Sequence, residues 1–438
     1  MAEPYFHSVT LDEEKCRGCT NCIKRCPTEA IRVRKSKARI INERCVDCGE
    51  CIRVCPYHAK KAITDSLDII KAFKYKIALP APTLYSQFKP EYSRGRILEA
   101  LKSIGFDEVY EVAKGAEIVT AATKKLLKQK GLRKPLISSA CPAVVRLIQV
   151  RFPNLIDNIV KLKSPMEVSA EIAKTKTVES MGIKPEDIGA FFISPCAAKV
   201  TSVKAPYEKT ESFVDGVIAI KDIYLKLLGA FENADNDEGL EQAGDEGIRW
   251  ANSGGESKAL GTDEFLAVDG IHNVIKILEE IENEKLEGIE FVEALACTGG
   301  CLGGPLTVEN AYVARTRLKK HVEEAKSKKV KKGAGEDYGS IAWNGNIEHK
   351  PVMKLDKDIV MAIKKMEALE SINENLPGLD CGACGAPSCR ALAEDIVRGN
   401  ANETDCIFKL REKVRSLANE MMELEAKMPP VLDKDKNT

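Results

Sequence analysis

Histidine is scarce in this 438-residue chain. The five present, His7, His58, His272, His321 and His349, show no paired ligand spacing and read as structural or surface residues. Net charge is missing as well, since 66 basic residues balance 66 acidic ones. That balance argues against a nucleic-acid or anionic-membrane role resting on bulk charge. No apolar run reaches the ~18 residues of a membrane span, so none is expected. The N-terminal residues up to Cys16 lack an apolar core, so no signal peptide is expected and the cytoplasm is the expected compartment.

What the chain has in abundance is cysteine. Eight of its 16 cysteines precede residue 56, four lie between 141 and 301, and four between 381 and 406. A disulfide scaffold would be short and secreted, and neither holds. Reduced thiols acting as metal ligands are the better reading, and sixteen divides into four sets of four. Hydrophobic residues make up 44%, enough for real cores, and the length suggests about three domains.

Residues 1–68 carry Cys16-x2-Cys19-x2-Cys22-x3-Cys26-Pro27 and then Cys45-x2-Cys48-x2-Cys51-x3-Cys55-Pro56. This is the bacterial two-cluster ferredoxin run, in which the fourth cysteine of each run ligates the other cluster. Cys16, Cys19, Cys22 and Cys55 are therefore expected around one 4Fe–4S cluster, and Cys45, Cys48, Cys51 and Cys26 around the second. Zinc knuckles are the competing reading.

Residues 69–325 read as α/β. Candidate strands are Tyr75–Leu79, Glu108–Val112, Leu136–Ser139, Phe191–Ser194, Gly216–Ile220 and Ile289–Ala296, with helices such as Arg94–Ile104, Val144–Arg151 and Ile271–Glu284 between them. The alternation favours parallel sheets covered by helices. Cys141, Cys196 and Cys297 each follow the carboxyl end of an expected strand, where open α/β sheets bind ligands. Cys301 follows Cys297 across Gly299-Gly300, a turn that lets backbone approach something bulky. Pro142 suits the first position of a helix, whose positive end would face an anionic cluster.

Residues 326–375 are expected to be a linker, basic from Lys326 to Lys332, followed by an amphipathic helix packed through Leu355, Ile359, Met366 and Leu369. Residues 376–410 hold Cys381-x2-Cys384-x4-Cys389-x16-Cys406. The phrase from Leu376 to Gly385 resembles the small one-cluster 4Fe–4S domain of corrinoid iron–sulfur proteins and membrane electron-transport subunits; zinc is again the alternative. In residues 407–430, Ile407, Leu410, Val414, Leu417, Met421, Leu424 and Met428 form a heptad seam of about three repeats. A parallel pair would set Glu420 against Glu425, so an antiparallel dimer, or docking on another protein or on the body, is expected instead. Residues 431–438 read as a polar tail.

Residues 75–320 resemble the active-site domain of the iron-only (di-iron) hydrogenases. The first family motif, T-S-C-C-P, has its counterpart in Ser138-Ser139-Ala140-Cys141-Pro142. The second, P-C-x-x-K, is Pro195-Cys196-Ala197-Ala198-Lys199, and the third, E-x-x-A-C-x-x-G-C-x-x-G-G, runs from Glu293 to Gly304. The resemblance implies that Cys141, Cys196, Cys297 and Cys301 hold a 4Fe–4S cubane. Cys301 would bridge it to a di-iron unit bearing CO, cyanide and a dithiolate bridge. Lys199 would donate to one cyanide, and Ala81-Pro82 would wall the other. Lys199, Cys301, Pro82 and Glu293 are thus the candidate catalytic residues.

The departures from the family lie around that unit. Ala140 replaces the proton-passing cysteine, Ser202 the relay glutamate, Ser194 and Ser257 two methionines, and Val144 a tryptophan. Lost proton carriers should slow turnover more than they weaken hydrogen binding. The pattern is similar to sensory hydrogenases, which also carry the extra C-terminal cluster domain. The expected activity is slow, reversible H2 oxidation. Electrons or a signal would pass through the clusters to a ferredoxin-like redox partner or a separate signalling protein. The alternative is a non-catalytic iron–sulfur electron-transfer or cluster-assembly protein without the di-iron unit.

Overall fold

The computed structural model describes residues 6–207, 211–232, 234, 238–328, 341–343 and 345–428. The N-terminal module contains β1 (Val9–Leu11), β2 (Ile31–Arg34), β3 (Lys37–Ile40) and β4 (Lys60–Ala62). β1 pairs antiparallel with β4, and β2 with β3. Lys35 and Ser36, between β2 and β3, both have positive φ, as the right-handed twist of a two-residue hairpin demands. Gly18 lies under that turn; a Cβ there would meet the Ser36 carbonyl oxygen at 2.8 Å. The buried apolar core of this module is small, Val9, Ile23, Ala30, Ile31, Ala38, Val46 and Ala59, and the buried thiols of Cys16, Cys22, Cys48 and Cys51 complete it.

The central region is built on β5 (Tyr75–Pro80), β6 (Glu108–Val109), β7 (Leu136–Ile137), β8 (Ile188–Ser194), β9 (Gly216–Ala219), β10 (Phe265–Asp269) and β11 (Phe291–Leu295). They form two parallel sheets, ordered β6-β5-β8-β9 and β10-β11-β7. Strand residues alternate between faces. In β8, Phe191 and Ile193 enter one apolar core, while Ile188, Ala190 and Phe192 enter the other. A sheet apolar on both faces needs helices on both faces, and it has them. The fold is the mixed α/β, multidomain architecture expected, with two helix-covered sheets and a helical C-terminus.

Several boundaries differ from expectation. The strand expected over Glu108–Val112 stops at Val109, because Val112 opens the helix Val112–Leu127 and buries into its core. Ile220 likewise opens the helix Ile220–Ala230. β10 was not foreseen; it is an edge strand whose five residues are all only partly buried, so no clean alternation marks it.

In the expected linker, Lys326 and Ser327 end the helix Ala311–Ser327, and residues 329–340 lie outside the described residues. The chain then returns to the central region. Ala342 bridges Leu162, and Ile341 and Ile347 are buried. The next helix is Ile359–Asn375. Leu369 and Leu355 are buried as expected, but Ile359 and Met366 are exposed. The core packing expected of those two is corrected: the helix leans on the short helix Cys389–Val397, which covers one side of it only. The heptad helix, Ile407–Lys427, buries none of its residues against the body. Residues 429–438, including Pro429-Pro430 and the expected tail, lie outside the described residues. Among the described residues no helix is long and apolar enough to cross a membrane.

Candidate metal centres

Two cavities in the N-terminal module are lined by thiols. Cys16, Cys19, Cys22 and Cys55 surround one, with about 330 Å³ of atom-free space; Cys26, Cys45, Cys48 and Cys51 surround the other, with about 350 Å³. The fourth cysteine of each run thus faces the other run's cavity. Backbone N–H groups of Ala30, Ala59 and Ala38 donate to the Sγ atoms of Cys26, Cys55 and Cys16 at 3.2, 3.3 and 3.4 Å. Burial pushes the Cys22 thiol up to about 11 and Cys51 to about 12, so a cation must offset their charge if they ionise. The buried Lys60 ammonium favours ionisation of both, and its Nζ has no hydrogen-bond partner among the described residues. An orphaned buried ammonium between two thiol cages fits anionic clusters there.

A third cavity, about 290 Å³, is lined by Cys381, Cys384, Cys389 and Cys406. This C-terminal unit is clamped onto the N-terminal module. Arg32 Nε and Arg34 Nη2 pair with Asp395 at 2.7 and 2.9 Å, and Arg44 Nη1 with Glu394 at 3.0 Å. Val33 N donates to Gly385 O at 2.8 Å, and Arg34 Nη1 to Cys384 O at 2.7 Å. Gly385 has φ +80°, and a Cβ there would meet Val33 O at 1.9 Å, so only glycine permits this approach. Val33 also lines the cavity of Cys16, Cys19, Cys22 and Cys55.

The fourth set assembles between the two parallel sheets. β7 leads to Cys141 and β11 to Cys297, in one sheet; β8 leads to Cys196, in the other. Cys141 caps the helix Pro142–Arg151, with proline at its first position. Cys301 follows the turn at Gly299 and Gly300, both of positive φ. The four thiols face one another: Cys141, Cys297 and Cys301 each oppose ionisation of Cys196. Burial, foremost, pushes Cys301 up to about 12 and Cys196 further still, while the Lys199 ammonium pulls both down. Arg53, from the N-terminal module, donates to Cys297 Sγ at 3.4 Å and also feels the charge of Cys48. The second thiol cage of that module therefore abuts this one.

Beside Cys301 opens a cavity of about 590 Å³ of atom-free space, some of it open to solvent, lined among others by Pro82, Ala140, Lys199, Glu256, Glu293 and Cys301. Lys199 Nζ reaches Ala140 O at 3.3 Å and lies 5.9 Å from the Phe192 ring centroid; it does not point into bulk water. Ser202 turns away, its Oγ donating to Lys199 O at 2.9 Å. Thr83 also lines the cavity, and its buried Oγ1 has no hydrogen-bond partner among the described residues. Four thiols, an ammonium, an orphaned hydroxyl and an apolar wall suit an anionic iron–sulfur group.

Glu256 was not foreseen. The glycine-rich segment around it was read for Ser257, and only the fold brings it to Ser138 and Glu293. Ser138 Oγ donates to Glu256 Oε2 at 2.7 Å and accepts from Ala140 N at 3.2 Å. Glu293 accepts from the backbone N–H groups of Gly254 and Ser257 at 2.9 and 2.8 Å. Burial first, and then the charge of Glu293, pushes Glu256 up to about 8; burial also raises Glu293. Burial and the nearby Glu293 charge thus favour the protonated form of Glu256 at neutral pH.

A buried thiol cage fed by two further modules of the same kind marks an oxidoreductase-type iron–sulfur protein. The family profile "Iron only hydrogenase large subunit, C-terminal domain" matches residues 74–262 and 231–305, just over half of the chain, and the chain belongs to that family. A "4Fe-4S dicluster domain" matches residues 8–56, and an Fe-S cluster domain residues 376–408. The chain is 31% identical to the periplasmic Fe hydrogenase large subunit of Nitratidesulfovibrio vulgaris over 229 residues, covering 48% of this chain and 54% of that protein. It is 26% identical to the cytosolic Fe-S cluster assembly factor NAR1 of Saccharomyces cerevisiae over 119 residues, covering 27% and 24%. The chain spans about half the length of the curated hydrogenases it matches. A solved FeFe-hydrogenase variant from Chlamydomonas reinhardtii aligns over 64% of this chain and 95% of its own, with a TM-score of 0.48 and 15% identity.

Proposed function

We propose that the chain is a slow hydrogenase that interconverts H2 with two protons and two electrons and reports H2 or redox state to a partner. Cys141, Cys196, Cys297 and Cys301 would hold the cubane, and Cys301 would anchor a di-iron unit with CO, cyanide and dithiolate ligands. When bound, that unit supplies the metal at which the H–H bond is cleaved or formed. The observation that carries this reading is the cavity that Lys199 and the buried carboxyls of Glu256 and Glu293 line together with Cys301.

The chain's own residues bind, shield and deliver. Lys199 Nζ offers hydrogen bonds to an anionic ligand and offsets its charge. Ala81, Pro82 and Phe192 supply apolar lining to the cavity. Glu256 would hold a proton near neutral pH, and the Ser138 hydroxyl extends from Glu256 Oε2 toward Ala140. With no titratable side chain at Ala140 or Ser202, proton supply rests on Glu256, and a route without its usual carriers turns over slowly.

Electrons would leave in series. Arg53 would lie between the group held by Cys141, Cys196, Cys297 and Cys301 and the one held by Cys26, Cys45, Cys48 and Cys51. The Val33–Gly385 contact would lie between the group held by Cys16, Cys19, Cys22 and Cys55 and the C-terminal one, whose exposed Cys381 would face a ferredoxin-like or signalling partner. Sixteen reduced thiols favour the cytoplasm as the compartment.

Protein matured with a di-iron complex should oxidise H2 with a redox dye measurably but far more slowly than ordinary family members. Activity equal to theirs would overturn the sensory reading. The second reading, a non-catalytic relative of the cluster-assembly factors, requires that matured protein carry no CO or cyanide and oxidise no H2.

A further inference from the structure

The heptad helix, Ile407–Lys427, is the largest apolar feature that the metal centres leave unexplained. Ile407, Leu410, Val414, Leu417, Met421, Leu424 and Met428 are 45–70% exposed, and the helix touches the body only at its first turn. Their strict three-and-four spacing gives the narrow seam of a coiled coil rather than the broad apolar face of a membrane-surface helix. Charge along the helix is polarised. Residues 407–416 carry Lys409, Arg411, Lys413 and Arg415 against Glu412 alone; residues 418–427 carry Glu420, Glu423 and Glu425 against Lys427 alone.

We infer that this helix pairs antiparallel with the same helix of a second copy of the chain. Reversal lays the basic half of each helix on the acidic half of the other. One register fits both seam and charge. Ile407 meets Leu424, Leu410 meets Met421, and Val414 meets Leu417, each twice by the two-fold symmetry. In an antiparallel pair, the positions flanking the seam face their own kind. In this register Lys413 therefore stands opposite Glu420, again twice, and Arg411 opposite Ala418. A parallel pair would set Glu420 against Glu425 twice. The antiparallel arrangement holds the two terminal cluster units at opposite ends of the coil, about 27 Å apart along its axis.

Sedimentation velocity on the full, cluster-loaded chain tests this. The native protein should be a dimer. Met421→Glu should leave a monomer with iron content and visible absorption unchanged, since the seam touches no cluster ligand. Glu420→Lys separates the orientations. It should raise the dimer dissociation constant about tenfold, by setting lysine against Lys413 twice. Lys413→Glu combined with Glu420→Lys should restore the native constant. A monomeric native protein would overturn the inference, as would a dimer that survives Met421→Glu. So would a dimer that Glu420→Lys tightens, the response of a parallel pair, or a double variant no tighter than the single one.

Discussion

The cavity beside Cys301 has two unlike walls. On one lies Ala140, which cannot titrate; Ser202, the other position at which the resemblance places a proton carrier, is not part of the lining and turns its hydroxyl back onto its own helix. On the other, Glu256 and Glu293 sit buried against each other, joined by Ser138 to the first wall's backbone. The metal-binding thiols do not differ from the family pattern; the proton-bearing groups do. The four-cysteine pattern of the family is thus kept where the titratable residues of its motifs are not. The carboxylate wall is costly, because burying two acids forces one to keep its proton. At Ala140 only the backbone takes part, its carbonyl oxygen accepting from Lys199 and its N–H donating to Ser138.

The sharpest break of this contrast is Glu256→Gln, which keeps shape and removes the titratable group. It should lower dye-coupled H2 oxidation by about 100-fold or more while the cluster absorption stays intact. Adding a thiol to the Ala140 wall in that background, Ala140→Cys with Glu256→Gln, should recover about tenfold in the same assay. A pH series sharpens the contrast further. Glu256 is raised to about 8, so its acid form is present at neutral pH, and the infrared carbonyl band of a protonated carboxyl should vanish as pH rises through that value. The sign for stability follows. A raised acid contributes stability that is full below the ordinary carboxylate range and lost as pH climbs through about 8. The Tm of the native protein should therefore fall more steeply than that of Glu256→Gln between the ordinary value of 4.5 and about 8, and run parallel to it above. The smallest effect belongs to Ala140→Cys alone, which should raise the rate about threefold, because it adds one of the missing proton carriers to a route that Glu256 already serves in part.

These walls were not equally legible in the amino-acid sequence. The Ala140 wall was, because Ala140 lies at a fixed offset from Cys141 within a short motif, as Ser202 does from Cys196. The crossed pairing of Cys26 and Cys55 was legible for the same reason: the constraint is local spacing. Glu256 was not, since its relation to Glu293 and Ser138 is made only when two loops and a strand close on one cavity. β10 escaped because an edge strand shows no clean alternation. Ile359 and Met366 misled because apolar spacing says that a face wants cover, not that the fold supplies it. The heptad seam has the same ambiguity, and in this fold its cover is not the body.

The most direct test of the central claim, that the cavity beside Cys301 houses a di-iron unit held by Lys199, is infrared spectroscopy of protein matured with a supplied di-iron complex. The account predicts CO and cyanide bands, with the cyanide bands shifting when Lys199→Ala removes their hydrogen-bond donor. A spectrum with no such bands, over a protein whose iron content matches four intact 4Fe–4S clusters, would contradict it.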